Sequence, residues 1–136
     1  MWPTGLIVEA VRDMAVKNVD PRVVKVIEIM NRNLHRHLPV GTMASSVNLS
    51  YSRLEHLFKA ETGMTPVSYL KKLRIERARE LLETTFLTNQ QIIIKVGMYD
   101  ESHFVKDFKK AYGLQPTQYR KRYHALAMPV LDGKAG

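Results

Sequence analysis

A diverged internal repeat runs through the centre and second half of this sequence. Residues 50–70, SYSRLEHLFKAETGMTPVSYL, recur fifty positions later as residues 100–120, DESHFVKDFKKAYGLQPTQYR. Leu54 of the first copy is matched by Phe104, and six further pairs are identical: Ser52 and Ser102, Phe58 and Phe108, Lys59 and Lys109, Gly63 and Gly113, Pro66 and Pro116, Tyr69 and Tyr119. Chance explains such an ordered set poorly. Both copies are therefore expected to fold alike.

The spacing of apolar residues predicts an all-α fold. Apolar side chains recur at helical spacing almost throughout, and no segment of useful length alternates as a half-buried strand would. A short apolar helical stretch precedes each copy, so the repeated unit is two helices joined by a tight turn. We predict about seven helices, arranged as two helix-turn-helix subdomains at residues 21–64 and 85–124 with a long linking helix at residues 65–84.

The two ends of the chain are assigned separately. Residues 1–20 are predicted to form an N-terminal helix or linker, and residues 125–136 a disordered tail. The apolar face of the N-terminal segment consists of Leu6, Ile7, Ala10, Val11 and Met14. This segment is compatible with either an additional helix or the end of a preceding domain.

Capping residues predict where the helices begin and end. Asp20 followed by Pro21 should open the first helix of the first subdomain, and Ser50 and Asp100 should cap the second helix of each repeated unit. Gly63 and Gly113 accept the positive φ angle of a helix C-terminus. Residues 88–91, TNQQ, form a capping-box pattern.

The turns inside the two repeated units are predicted to differ in length. Upstream of the turn the two copies align at an offset of 49 residues, and downstream of it at an offset of 50 residues. The upstream pairs are Met43 with Ile92, Ala44 with Ile93, Val47 with Val96 and Asn48 with Gly97. The second turn should therefore contain one additional residue.

Periodicity also predicts which side of each long helix faces the core. The inward positions of the first helix are Val24, Ile27, Met30, Leu34 and Leu38. Those of the linking helix are Val67, Leu70, Leu73, Ala78, Leu81 and Leu82. Its outward positions are basic: Lys71, Lys72, Arg74, Arg77 and Arg79. Interleaved glutamates favour a solvated face with intrahelical ion pairs over one that follows phosphates.

Composition points to a polyanionic partner. The 136 residues include 21 Lys and Arg against 13 Asp and Glu, giving a net charge of +8 and an isoelectric point near 9.8. This balance favours nucleic acid. No apolar run approaches the ~20 residues that cross a bilayer, and the N-terminus lacks a secretory leader, so we predict a cytoplasmic protein without a membrane partner.

The residue inventory argues against an enzyme. The chain has no cysteine, which excludes a disulfide, a thiolate nucleophile and a cysteine-bound zinc. His35 and His37 diverge on a helix end without a supporting carboxylate cluster, so no metal site is predicted. No glycine-rich loop is present to hold a phosphate cofactor. We therefore predict neither catalysis nor a cofactor.

The second helix of each repeated unit carries a polar stripe opposite its apolar face. In the first copy Leu54, Leu57, Phe58 and Glu61 share the inward face, and in the second copy Phe104, Phe108 and Ala111 do. The first stripe on the outward face is Ser52, Glu55, His56 and Lys59, and the second stripe is Ser102, Val105, Lys106 and Lys109. Phe58, Tyr69 and Tyr119 are interpreted as core or capping residues and not as base-stacking platforms.

Two segments resemble the DNA-binding domain of the AraC/XylS family of bacterial transcription regulators. They are residues 52–82, SRLEHLFKAETGMTPVSYLKKLRIERARELL, and residues 92–120, IIIKVGMYDESHFVKDFKKAYGLQPTQYR. The similarity extends over about residues 21–123. It implies two helix-turn-helix units whose third and sixth helices read bases. Asn48 and Ile93 depart from the family pattern of a glycine and a small residue, which implies adjusted packing within each unit.

The resemblance and the two stripes together give the candidate DNA contacts. The base-contact candidates are Ser52, Glu55, His56, Glu101, Ser102, Val105 and Lys106. The phosphate-contact candidates are Ser50, Arg53, Lys59, His103, Lys109 and Lys110. Lys106 can donate to guanine, Glu55 can accept from a cytosine amino group, and Val105 can contact a thymine methyl group.

The leading hypothesis is a sequence-specific binder of double-stranded DNA, forming all or part of a bacterial transcription factor with two helices in successive major grooves. RNA polymerase, and an effector or dimerisation domain outside this chain, are the further partners that the resemblance implies. The alternative is a basic helical nucleic-acid binder of low sequence specificity. That alternative explains the charge equally well, but it does not explain the repeated caps, turns and stripes.

Overall fold

The computed structural model describes Met14 and residues 17–127. From Pro21 onward the described chain is helical, without strands. The seven helices are α1 (Pro21–Arg32), α2 (Val40–Ser46), α3 (Tyr51–Thr62), α4 (Pro66–Thr84), α5 (Asn89–Lys95), α6 (Glu101–Tyr112) and α7 (Pro116–Ala127). This order confirms the predicted all-α fold, with two helix-turn-helix units and α4 as the linking helix.

The predicted caps are confirmed. The Ser50 hydroxyl accepts a hydrogen bond from the backbone N–H of Arg53 at 3.2 Å, and the Asp100 carboxylate accepts one from His103 at 3.1 Å. Asp20 caps α1 in the same way, with Pro21 at the first helical position. The capping box at Thr88 is complete. These bonds satisfy backbone donors that a helix N-terminus otherwise leaves unpaired.

The positive-φ positions end helices and form turns as expected. Gly63 ends α3 at φ 79°, and Gly113 ends α6 at φ 83°. The turn between α2 and α3 spans residues 47–50, whereas the turn between α5 and α6 spans residues 96–100, one residue more. Asn48 and Gly97 take positive φ angles at equivalent places in these turns. The predicted difference in turn length is confirmed.

The chain divides into two compact units, with the boundary between Arg74 and Ile75 inside α4. In the first unit the core is formed by buried side chains of α1 to α4 and of Leu34, which follows α1: Val23, Val26, Ile27, Met30, Leu34, Val40, Met43, Ala44, Leu54, Phe58 and Leu70. In the second unit it is formed by Ile75, Ala78, Leu81, Leu82, Ile92, Ile93, Val96, Phe104 and Phe108. Phe58 and Phe104 are each completely buried, so each unit has its own aromatic centre.

The predicted extent of α1 is wrong at its C-terminal end. The helix stops at Arg32 and does not continue to Leu38, which is half-buried. The Asn33 side-chain amide donates to the carbonyl of Ile29 at 2.8 Å, and its backbone N–H donates to Met30. Such local side-chain bonding to the backbone competes with helix continuation. Leu34 is nevertheless buried beyond the helix end.

Four positions assigned to inward faces lie elsewhere. Val24 is half-buried because the buried face of α1 is centred on Val23 and Val26. Val67 is 58% exposed because the first turn of α4 buries Pro66 and Leu70 instead. The remaining two, Glu61 and Ala111, are exposed. Glu61 accepts the backbone N–H of Asp20 at 2.6 Å, and Tyr112 takes the inward position next to Ala111.

The basic outer face of α4 is only partly solvated. Lys71 and Lys72 are exposed. Arg74 instead donates to the carbonyls of Leu34 and Arg36 at 3.1 and 2.6 Å, and Arg79 pairs with Glu83 at 3.0 Å. Arg77 is half-buried, and burial lowers its pKa. The prediction of intrahelical ion pairs is confirmed by Arg79, whereas the prediction of a solvated side chain is wrong for Arg74.

Arg120 has the corresponding role in the second unit. Its guanidinium donates to the carbonyls of Leu82 and Thr85, both at 3.1 Å. Leu82 is in the last turn of α4 and Thr85 directly follows the helix, where carbonyls lack intrahelical partners. Arg120 therefore attaches α7 to the end of α4 within this unit.

The predicted terminal segments are only partly described. Met14 is helical and packs against the core of the first unit. The other positions of the N-terminal apolar stripe, Leu6, Ile7, Ala10 and Val11, lie outside the described residues. At the other end α7 continues past Tyr123 to Ala127, so residues 125–127 are helical and not part of a disordered tail. Residues 128–136 lie outside the described range.

Candidate nucleic-acid interface

The first stripe lies on the solvent side of α3. Ser52, His56 and Lys59 are exposed and Glu55 is half-buried, whereas Leu54 and Phe58 on the opposite side are completely buried. The cap at Ser50 and the positive φ angle at Gly63 fix the two ends of this helix. The first unit therefore presents a helix with polar and charged groups at i, i+3, i+4 and i+7 to solvent.

The second stripe occupies the same side of α6. Ser102, Lys106 and Lys109 are exposed, opposite the completely buried Phe104 and Phe108. Val105 differs from its prediction, since it is half-buried and packs against the core of the second unit. Only part of the Val105 side chain remains accessible for an apolar contact.

The N-terminal ends of α3 and α6 differ in charge. Ser50 and Arg53 are exposed at the start of α3, while Asp100, Glu101 and His103 are exposed at the start of α6. A hydrogen bond from the backbone N–H of His103 holds the pKa of Asp100 below its usual value, so this carboxylate stays ionised. Two carboxylates at this end repel phosphate. Glu101 is therefore better suited to accept from a cytosine amino group.

The phosphate-contact candidates are all exposed. Lys59, Lys109 and Lys110 lie in the second half of their helices, and Arg53 lies near the start of α3. His103 Nδ1 lies 3.0 Å from the Asp100 carboxylate, which leaves its other ring nitrogen accessible. Ser50 is engaged as the acceptor of its cap bond. Its hydroxyl proton can still be donated.

The aromatic residues interpreted as core are packed there. The Phe58 and Tyr69 rings meet edge to face at 5.3 Å, and the Phe108 and Tyr119 rings at 5.4 Å. The Tyr119 hydroxyl donates to a carboxylate oxygen of Glu83 at 2.5 Å. These rings are therefore occupied by their own unit and do not form a stacking platform for bases.

Two exposed tyrosines next to the helix caps are not indicated by the sequence patterns. Tyr51 is 55% exposed directly after the Ser50 cap, and Tyr99 is 78% exposed directly before the Asp100 cap. The only signal in the sequence is the additional residue in the second turn, which places Tyr99 in that turn.

Within the described chain, neither a metal site nor a membrane span is found. No group of three or more histidine, aspartate or glutamate side chains there could hold a metal ion. His35 and His37 are both exposed. No described helix combines the length and the apolar character needed to cross a bilayer.

Comparison with known proteins identifies this arrangement. The family model described as a helix-turn-helix domain matches residues 43–122, which is more than half of the chain. The crystal structure of an AraC-type transcriptional regulator from Chromobacterium violaceum is similar, with a TM-score of 0.72 and 29% identity over 76% of this chain and 92% of that one. The chain belongs to the AraC family. It is similar to the helix-turn-helix DNA-binding domains of these transcription regulators.

Two further similarities extend this result. The arabinose operon regulatory protein of Salmonella typhimurium is 34% identical over 80% of this chain and 41% of its own length. The DNA-binding domain of AdpA, solved in complex with a target DNA, has a TM-score of 0.72 and 25% identity over 76% of this chain and 93% of that one. The chain spans about a third of the length of several other curated relatives.

Proposed function

We propose that this AraC-family chain binds double-stranded DNA with sequence specificity, and that α3 and α6 enter successive major grooves. The observation that carries this proposal is the repetition of an exposed stripe at equivalent offsets on two capped helices of 12 residues. A recognition helix reads base edges from the groove-facing side of its N-terminal half. The AdpA domain in complex with its target DNA supports the proposal at the level of the fold.

Base reading is assigned to side chains in the N-terminal halves of the two helices. In α3 these residues are Ser52, Glu55 and His56. In α6 they are Glu101, Ser102, Val105 and Lys106. Lys106 is suited to guanine, the two glutamates to cytosine amino groups, and the accessible part of Val105 to a thymine methyl group. The two helices carry different side chains, so we expect one chain to read an asymmetric site.

Phosphate binding is assigned to Ser50, Arg53, Lys59, His103, Lys109 and Lys110. Their side chains are exposed at the helix ends and along the stripe edges. Such contacts position the protein on the duplex without reporting sequence. The net charge of +8 favours this electrostatic part of binding.

A role in transcription regulation would bring the protein together with RNA polymerase in the bacterial cytoplasm. We include both in the proposal, together with an effector or dimerisation domain outside this chain. The support is the greater length of the curated relatives, of which this chain spans about a third. No catalytic activity is part of the proposal.

Selection of bound duplexes from a random pool tests the proposal directly. The expected motif is asymmetric and contains two boxes about one helical turn, ~34 Å, apart. A single box would show that only one helix reads bases. Equal competition by the selected and a scrambled duplex at physiological salt would refute sequence-specific binding and favour the charge-driven alternative.

Two lysines on α6 provide a matched pair of variants for the assignment of roles. Lys106→Ala should weaken binding and relax the preference at one or two base pairs. Lys109→Ala should weaken binding to every duplex by a similar factor and flatten the salt dependence. The same specificity profile for both variants and the parent would contradict this division.

A further inference from the structure

The six tyrosines of this chain fall into two groups. Four pack into aromatic contacts inside the two units: Tyr69 on Phe58, Tyr112 and Tyr119 on Phe108, and Tyr123 on Tyr119. The other two, Tyr51 and Tyr99, are the most exposed of the six, at 55% and 78%. Within the described chain neither side chain makes a hydrogen bond or a ring contact. Neither side chain is therefore explained by the packing of its own unit.

Both exposed tyrosines are next to the N-cap of a stripe-bearing helix. Tyr51 is the first residue of α3 and follows the Ser50 cap, whereas Tyr99 precedes the Asp100 cap of α6. Tyr51 lies four residues before Glu55, so it stands one turn above that residue at the edge of the first stripe. Tyr99 lies in the longer turn between α5 and α6. The shorter turn of the first unit has no residue that corresponds to it.

We propose that Tyr51 and Tyr99 are additional DNA-contact residues whose hydroxyls donate to backbone phosphates beside the two reading helices. This inference rests on the proposed DNA binding. A phenol suits this position because its ring covers the apolar face of a deoxyribose while its hydroxyl donates to a phosphate oxygen. It is also uncharged, so the contact adds affinity without displacing a counterion.

The acidic residues at the start of α6 favour an uncharged phosphate donor at position 99. Asp100 and Glu101 directly follow it in the sequence, both are exposed, and their carboxylates repel phosphate. A neutral donor at residue 99 holds the DNA backbone close to this end of the helix. A cationic side chain there would be partly neutralised by its two acidic neighbours.

The experiment measures affinity for the selected and the scrambled duplex over a range of salt concentrations. The variants are Tyr51→Phe and Tyr99→Phe, which keep the ring and remove only the hydroxyl. Phe86→Ala is the matched control, because Phe86 is 93% exposed in the second unit and is next to neither cap. Circular dichroism confirms that each variant is folded, as expected for substitutions at exposed positions.

Each Tyr→Phe variant should weaken binding to both duplexes by the same factor, about three- to tenfold. This is less than the full effect of a hydrogen bond to a charged group, because water competes for the phosphate at an exposed site. The salt slope should match that of the parent, in contrast to Lys109→Ala, and Phe86→Ala should bind like the parent. Ethylation interference should disappear at one phosphate for each variant.

Two outcomes overturn the proposal. One is parental affinity on both duplexes for both Tyr→Phe variants, and the other is a changed base preference in place of a uniform loss. These results are separate from a failure of the proposed function, which appears in the parent itself as equal affinity for the two duplexes. The uniform loss can be measured on either duplex, because phosphates are present in both.

Discussion

Replacing Arg74 by alanine tests whether this basic side chain of α4 stabilises the fold or contacts a phosphate. Arg74 has the sequence position of a residue that faces solvent or a phosphate. Its guanidinium instead donates from Nε to the carbonyl of Leu34 at 3.1 Å and from Nη2 to the carbonyl of Arg36 at 2.6 Å. Both acceptors lie in the segment between α1 and α2. Arg74 therefore attaches that segment to α4 inside the first unit.

The expected loss of stability follows from these two bonds. A hydrogen bond involving a charged group contributes about 1.5–3 kcal/mol. Removing the guanidinium leaves the carbonyl oxygens without their partner, and water replaces it only in part. The Leu34 bond is half-buried, whereas the Arg36 bond is exposed and competes with water. We therefore expect Arg74→Ala to lower the free energy of unfolding by about 2 kcal/mol, the value for the half-buried bond alone, because water replaces most of the exposed one.

Urea unfolding followed by circular dichroism measures this change, and two variants of α4 serve as comparisons. Lys72→Ala removes the same charge two residues away, where the ammonium lies 5.4 Å from the centre of the Tyr69 ring, and should cost only about 0.5 kcal/mol. Arg74→Lys keeps the charge but replaces the guanidinium fork with a single ammonium. It should lose most of the stability that Arg74→Ala loses.

DNA binding provides the second measurement. With the protein fully folded, Arg74→Ala should keep the parental salt slope for the selected duplex, because its guanidinium is occupied by backbone carbonyls. The interpretation would be refuted by parental stability together with a salt slope reduced by about one, which is the signature of a lost phosphate contact. Full rescue of stability by Arg74→Lys would also contradict it, since charge alone would then suffice.

Three further predictions concern stability. Phe108→Ala should lower the free energy of unfolding by about 3–5 kcal/mol, because Phe108 is completely buried against Tyr112 and Tyr119. Thermal denaturation compares this variant with Phe86→Ala. Equal melting temperatures of the two variants would contradict the assignment of Phe108 to the core. Gly63→Ala should cost about 1 kcal/mol, because φ is 79° there although no atom lies within 4 Å of an added Cβ; an unchanged urea midpoint would show that the backbone relaxes. For Asp100, the folded-state pKa is below its unfolded value, so its contribution is present above about pH 4 and is lost as pH falls through the folded-state pKa. Asp100→Asn should therefore show a smaller loss of unfolding free energy between about pH 6 and about pH 3 than the parent, and parallel curves would argue against it.

Much of the fold can be predicted from the sequence because helix ends are encoded locally. Ser50 and Asp100 cap their helices through a backbone N–H three residues away. Gly63 and Gly113 supply the positive φ angles that end α3 and α6. Each signal acts over a few residues, so no knowledge of the tertiary structure is needed. The shift from an offset of 49 to 50 residues predicted the longer second turn for the same reason.

The candidate interface is predicted less completely. The exposed sides of α3 and α6 are where the periodicity places them, but Val105 also packs against its core. The contact assignments within the two stripes remain predictions. Tyr51 and Tyr99 are not part of the periodic pattern, because one lies at the edge of a stripe and the other in a turn. Only the tertiary structure distinguishes these two exposed tyrosines from the four that pack against other aromatic rings.

The sequence by itself determined the number of helices, their caps and the repetition of an exposed stripe in a basic chain. The tertiary structure decided which long side chains are free to meet a partner. Arg74 bonds a carbonyl 40 residues away, and Arg120 one 38 residues away. No local rule pairs such groups, because a guanidinium finds an unpaired carbonyl only after the helices that carry both have packed together. Charge can therefore be counted from the sequence, but its availability for DNA depends on the fold.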